Sequence, residues 1–381
     1  MIDIVITADY EIFGNGSGDV SHCLFKPTAD LLGLCDEYKA KLTLFFEIAE
    51  FWAFRRAEEE GKFGHLGYSP SGLMEIHARK AINDGHDVQL HLHPQWLHSE
   101  YGEEAWQVNI DYWRLPNVPH GLGDFDDILS LRGLLCKGKR ELERMLKPLR
   151  SDYECIALRA GDHCIQPAQD VIRAMKEVGF LADSSVFKGG YIEQSPYEID
   201  FRSAYSESSP WWVDAEDINK AILDGHGSIL ELPIYALKRP EIKKLTIWKV
   251  LQWFRKRNAR HPPGCKGHPA SPLKRGGNPK NPSDFFRSLV EPVATPWDFC
   301  SLTGHEMWSF LKTAVKKHGI RDTYFPLIMI GHPKTFVNHK EFRKFLKIVT
   351  QSSFFRNGHI RFSTITHAVR ILQNDGTAKG N

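Results

Sequence analysis

The chain has 381 residues, 42% of them hydrophobic, which is enough apolar material for a sizeable core in one large domain or two small ones. With 49 Lys and Arg against 47 Asp and Glu, the formal net charge of +2 gives no reason to expect a nucleic-acid partner. Seven scattered cysteines without a C-x-x-C pair argue against a thiolate metal site and for a reduced compartment.

In chain order, Ile2 to Thr7 is the first short apolar run. It lacks a basic leader and a long apolar stretch, so it reads as a strand rather than a signal peptide, and a cytoplasmic protein is expected. Helical spacing follows over Ala29 to Tyr38, then a strand over Lys41 to Phe46, a helix over Leu73 to Asn83 and a strand over Asp87 to Leu92. Further along come a helix over Asp127 to Leu146, a strand over Cys155 to Leu158, and helices over Gln166 to Val178 and Asp214 to Leu223. Ile229 to Leu232 is again strand-like, Glu306 to Lys317 helical, and Leu327 to Ile330 and Ile360 to Phe362 are the last strands. No uninterrupted apolar stretch of about 18 residues occurs, so no membrane span is expected.

This alternation fits an α/β barrel or a doubly wound open sheet. Polar residues collect at strand ends, as Asp9, His91, His93, Arg159 and His332 do, and that is where barrels place their sites. No G-x-G-x-x-G or P-loop pattern opens a first strand-to-helix turn, which speaks against a nucleotide-binding open sheet. One domain spanning 1–381 is expected, with a basic insertion at 238–303. From Lys238 to Lys280 the insertion carries thirteen Lys and Arg against the single acid Glu241, with a helical first half, Leu245 to Phe254, and a second half rich in Pro and Gly. Its Trp248, Trp253 and Phe254 among basic residues allow peripheral contact with an anionic membrane through 243–280, against the blander reading of a solvated lid.

Four groups carry chemistry. His91-Leu-His93 ends a strand, and residues two apart on a strand face the same side, so both imidazoles can reach one ion; alone, the pair reads equally as ordinary hydrogen-bonded histidines. Asp9-Tyr-Glu11 places two carboxylates alike, suited to one metal ligand and one proton acceptor. Arg159 can pair with a carboxylate, and His332 titrates near neutrality and can protonate a leaving amine.

The order Asp9-x-Glu11, then Gly85-His-Asp-Val-Gln-Leu-His-Leu-His-Pro94, then Arg159-Ala-Gly161, then His332-Pro333 resembles the five-motif pattern of the polysaccharide deacetylases with NodB homology. Lys41 to Phe46 and Phe362-Ser-Thr364 are similar to that family's second and closing strands, and only Phe51 to Ser71, Tyr101 to Asp126 and Lys238 to Thr303 fall outside the match. The resemblance implies a distorted (β/α)7 barrel with inserted segments. It makes Asp9 the general base, Arg159 its partner, His332 the general acid, and Glu11, His91 and His93 the ligands of a divalent metal, zinc by preference. It places substrate contacts at Asp183, Glu231 and Pro233 and implies removal of an N-acyl group from a sugar, with a nucleotide- or lipid-linked precursor of a bacterial surface polysaccharide suited to a cytoplasmic enzyme. Two departures stand out. The family more often has adjacent aspartates in its first motif and histidines four apart in its second, so His98 is an alternative ligand here. Another barrel amidohydrolase, or a sugar- or lipid-binding barrel without activity, are the competing readings.

Overall fold

The computed structural model describes residues 1–102, 105–194, 197–222, 227–240, 292–319 and 324–375. Nine strands form one sheet: β1 (Ile2–Tyr10), β2 (Leu42–Glu47), β3 (Asp87–Leu92), β4 (Ala157–Ala160), β5 (Ala182–Asp183), β6 (Trp211–Trp212), β7 (Leu230–Glu231), β8 (Phe325–Met329) and β9 (Ile360–Phe362). The helices are α1 (Lys26–Glu37), α2 (Ile48–Glu59), α3 (Pro70–Asn83), α4 (Leu131–Leu146), α5 (Gln169–Val178), α6 (Gly304–His318), α7 (His339–Gln351), α8 (Ser353–Arg356) and α9 (Ile365–Asp375).

The strand order is β6-β7-β5-β4-β3-β2-β1-β8, with β9 also on β1, and every pairing is parallel except β6 with β7. Parallel strands need both faces covered, and β1, β2 and β3 are buried at every position. The sheet is a curled half-barrel. At its far side Ile234, just beyond β7, makes one isolated parallel bridge to Ile328 of β8, and Tyr235 N donates to Ile328 O at 3.0 Å. The continuous ladders stop short of the closed seven-stranded ring expected from the sequence.

Two expectations need correction. Asp214 to Leu223 is not helical: 214–221 turns back so that Val213 bridges Ala221 antiparallel. The Asp214 carboxylate accepts from the backbone N–H groups of Glu216 and Asp217, and Asp217 from that of Asn219, and such local bonds compete with helix. Wholly reduced cysteines are not found either. Cys35, Cys136, Cys155, Cys164 and Cys300 are free and buried, but Cys23 is disulfide-bonded.

The stem of the basic insertion is a paired ladder, Ala236–Pro240 antiparallel to Pro292–Pro296. The helix read over Leu245 to Phe254 and the membrane contact read over 243–280 lie outside the described residues. Among the described residues no helix is long and apolar enough to cross a membrane.

Candidate metal centre

Parallel register builds the site. Glu47 at the end of β2 pairs with His91 on β3, and His91 pairs with Arg159 on β4, so the three side chains form one row across neighbouring strands. His93 lies two residues beyond His91, and Asp9 and Glu11 project from the end of β1 while Tyr10 between them turns away to His77, 3.1 Å from its hydroxyl. Asp9, Glu11, Glu47, His91, His93 and Arg159 are all buried.

The arginine is tied at every nitrogen. Its Nη1 donates to Asp9 Oδ1 at 2.7 Å and to Thr7 Oγ1 at 2.9 Å, its Nε to Ser184 O at 2.7 Å and its Nη2 to Ser184 Oγ at 2.9 Å. The guanidinium also lies 4.0 Å from the Phe45 ring centroid. Asp9 Oδ2 is left 3.4 Å from His332 Nε2. His332 is the most open member of this group, its side chain 30% exposed, so it stands at the mouth.

Beside this carboxylate and imidazole lies a second cluster. Glu11, Glu47, His91 and His93 each offer one donor atom, and these atoms lie within 4.8 Å of one another. Glu11 Oε2, Glu47 Oε2, His91 Nε2 and His93 Nε2 are buried with no aligned hydrogen-bond partner among the described residues. A buried unpaired polar atom costs about 1–3 kcal/mol, so four converging ones mark a place for a cation. Two imidazoles and two carboxylates are a donor set that zinc accepts in tetrahedral geometry and other first-row divalent ions tolerate.

Outer contacts fix the ligand atoms. His91 Nδ1 donates to Arg159 O at 2.8 Å, which keeps the Nε2 lone pair free. His93 Nδ1 lies 2.8 Å from the Gln95 amide, whose buried Oε1 is unpartnered and accepts from Nδ1 once the amide is turned about. Gly161 is the reason the His93 ring fits: a Cβ there would meet its Cγ and Nδ1 at 2.4 Å. Glu47 Oε1 caps α2 by accepting from Ala49 N at 3.0 Å, so one oxygen starts a helix and the other faces the cluster.

The titration behaviour shows how strongly the site favours positive charge. Burial opposes the imidazolium of His93, but the Glu11 carboxylate and then Glu47 outweigh it and hold that group up at about 10. Burial likewise opposes the charge of Glu11, yet Lys334 and His93 keep its carboxyl well below the usual range. Asp9, buried too, is held far below it by Arg159, then His91 and His332. Glu50 behaves oppositely: burial, then the charges of Glu47 and Glu11, push it well above, and its carboxyl oxygens accept from Ile12 N at 3.1 and 3.2 Å.

The structure thus brings together Asp9, Glu11, His91, His93, Arg159 and His332. His98 is exposed, outside the four-donor group, and packs near Tyr112. Asp183, Glu231 and Pro233 are buried behind Arg159; Asp183 accepts from Ser185 N and Oγ, and Glu231 accepts from Val186 N. Burial, then the neighbouring Asp183, raises Glu231 well above the carboxylate range. Sequence reasoning missed Glu47 and Lys334. Glu47 directly follows the apolar run Leu42 to Phe46, so the same strand-end rule that picked out His91 applies to it. Lys334 follows His332-Pro333, and its Nζ reaches Glu11 Oε1 at 2.6 Å.

No family model and no curated protein matches the chain. Among solved structures it is similar to a protein described as a polysaccharide deacetylase from Mycobacterium smegmatis, at 13% identity and TM-score 0.45, over 98% of this chain and 91% of that one. It is also similar to PuuE allantoinase, at 12% identity and TM-score 0.44 over 100% and 92%, and to a GH57-type branching enzyme from Pyrococcus horikoshii, at 11% and 0.45 over 100% and 70%. Likeness at this level does not separate these chemistries, and the reading of function rests on the chain's own site.

Proposed function

We propose that the protein is a metal-dependent hydrolase of the polysaccharide deacetylase kind, built on that family's distorted (β/α)7 barrel, which removes an N-acyl group from a sugar. One observation carries the reading: four buried donor atoms from three strand ends converge beside a carboxylate that is clamped by an arginine and faced by a histidine at the mouth.

Glu11, His91 and His93, joined by Glu47, would hold the ion, with zinc the preferred metal. When bound, a divalent ion supplies Lewis acidity to an amide carbonyl and to an attacking water. Asp9 takes the water's proton at Oδ2, since its Oδ1 is engaged by Arg159. The buried guanidinium fixes that carboxylate and keeps it ionised before the proton arrives. His332, protonated at Nε2 and open to the mouth, delivers a proton to the departing nitrogen. Ser184 joins the Arg159 clamp to Leu232 O and Asp183 holds Ser185, and the substrate contacts proposed at Asp183, Glu231 and Pro233 would act from this wall. The acyl group is acetyl by preference, on a nucleotide- or lipid-linked sugar.

The test is to load the purified protein with zinc, measure bound metal, and follow acetate and formate release from a panel of N-acyl nucleotide sugars and lipid-linked precursors. The expected result is one zinc per chain and acylate release, with Asp9→Asn keeping the zinc and losing at least 100-fold in turnover, as removal of a general base does. A well-folded protein that takes up no zinc would favour the binding-barrel alternative.

A further inference from the structure

Glu11 is divided between two cations' worth of contacts. Its Oε2 faces the imidazoles, 2.7 Å from His93 Nε2 and 3.6 Å from His91 Nε2, while its Oε1 is held by the Lys334 ammonium at 2.6 Å. Lys334 also donates to Ile12 O at 3.0 Å and lies 5.6 Å from the Phe13 ring centroid. Its side chain is only 13% exposed, so its charge is poorly screened where it meets the carboxylate. The other titratable groups around Glu11 are His91, His93, Glu47 and Glu50, and His332, whose Nε2 is 3.9 Å from Oε1.

We infer that Lys334 is a resident counter-cation that steadies Glu11 when no metal is bound and restrains how tightly the metal is held. This rests on the metal-site reading above. A buried carboxylate that loses a cationic partner is strongly destabilised, so without Lys334 the metal-free fold leaves Glu11 to the imidazoles alone. With the metal present, Lys334 places a like charge one carboxylate away from the ion, which opposes binding. The same ammonium leaves Glu11 a single free oxygen, so the carboxylate serves as a one-oxygen ligand. Removing the lysine charge therefore stabilises the loaded state relative to the metal-free one on both counts, by binding linkage.

The experiment uses the full chain with zinc alone as probe, in wild type, Lys334→Met and Lys334→Arg. Zinc affinity is read by competition with a chelating dye, and thermal midpoints are read in excess EDTA and in excess zinc. Lys334→Met is expected to bind zinc at least tenfold more tightly than wild type, to melt lower in EDTA, and to recover its midpoint in zinc; Lys334→Arg keeps wild-type behaviour. A Lys334→Met protein with zinc affinity within threefold of wild type and an unchanged EDTA midpoint overturns the inference. So does a Lys334→Met protein unfolded both with and without zinc, which would make the lysine a structural strut. Wild-type protein that takes up no zinc defeats the hydrolase reading and this inference together, whereas failure of the variant alone defeats only the inference.

Discussion

The change Gly161→Ala tests the metal centre without touching a ligand. The new Cβ would lie 2.4 Å from His93 Cγ and Nδ1 and 2.6 Å from Cδ2, where ordinary contact begins near 3.4 Å, so the ring must retreat by about 1 Å. These atoms belong to the body of the imidazole, not to the end of a flexible chain. The ring is 1% exposed and is penned by His91 at 5.0 Å and Trp113 at 6.2 Å between centroids and by the Gln95 amide. Overpacking of this kind costs about 1–3 kcal/mol of stability. Metal ligands tolerate only about 0.2 Å of error, so the displaced Nε2 is expected to weaken zinc binding by about 10–100-fold. Urea denaturation in EDTA gives the first quantity and dye competition the second. Zinc affinity equal to wild type, together with a lost 1–3 kcal/mol, would show that His93 is packed there without serving as a ligand.

The remaining expectations are narrower. Glu47→Gln keeps the shape and the cap on α2 while removing one of four donors, and is expected to weaken zinc binding by more than about 100-fold by the same competition assay; an unchanged affinity leaves Glu47 as a helix cap only. His77, buried against Phe25 and the Tyr10 hydroxyl, is lowered by that burial to about 4, below its unfolded value of 6.5. Its neutral form is the one the fold accepts, so its contribution is intact above pH 6.5 and is lost as pH falls toward 4, by up to about 3 kcal/mol. Denaturation midpoints at pH 7 and 4.5 should therefore fall less in His77→Gln than in wild type, and parallel curves would refute the assignment. Glu231→Gln keeps the shape of the side chain and removes a charge that burial disfavours, and is expected to leave stability within about 1 kcal/mol and KM unchanged; a tenfold rise in KM would make Glu231 a direct substrate contact.

How much of this was legible depended on how many residues carried each signal. β3 and β9 have the bounds read from their apolar runs, and β1, β2, β4, β7 and β8 lie within a few residues of theirs, because a buried parallel strand is a continuous apolar run. The two-residue strands β5 and β6 carry no period at all. Helix α2 was missed because Ile48 to Phe54 is buried at every position, so no stripe stands out from a polar face. The turn after Val213 was misread because Asp214 and Asp217 act through their own carboxylates, which hydropathy does not register. Within the site, paired residues announced themselves. Glu47 and Lys334 did not, since a lone acid after one strand and a lone base after another acquire meaning only when register and turn bring them to Glu11 and His91.

The two-residue spacings of Asp9 and Glu11 and of His91 and His93 have a common structural reason. β1 runs to Tyr10 and β3 to Leu92, so steps of two along extended chain keep Asp9 level with Glu11 and His91 level with His93 on the inner face. A step of four between histidines would suit helix as well as strand, whereas a step of two works only on extended chain. With both imidazoles supplied by one strand, the row through Glu47 and Arg159 completes the ring of donors from β2 and the clamp from β4. The charges agree. Asp9 and Glu11 face Arg159 and Lys334, and Glu47 and Glu50, both pushed upward by burial, lie beside them. A divalent ion there would add the positive charge that the proposed hydrolysis asks for beside a developing oxyanion.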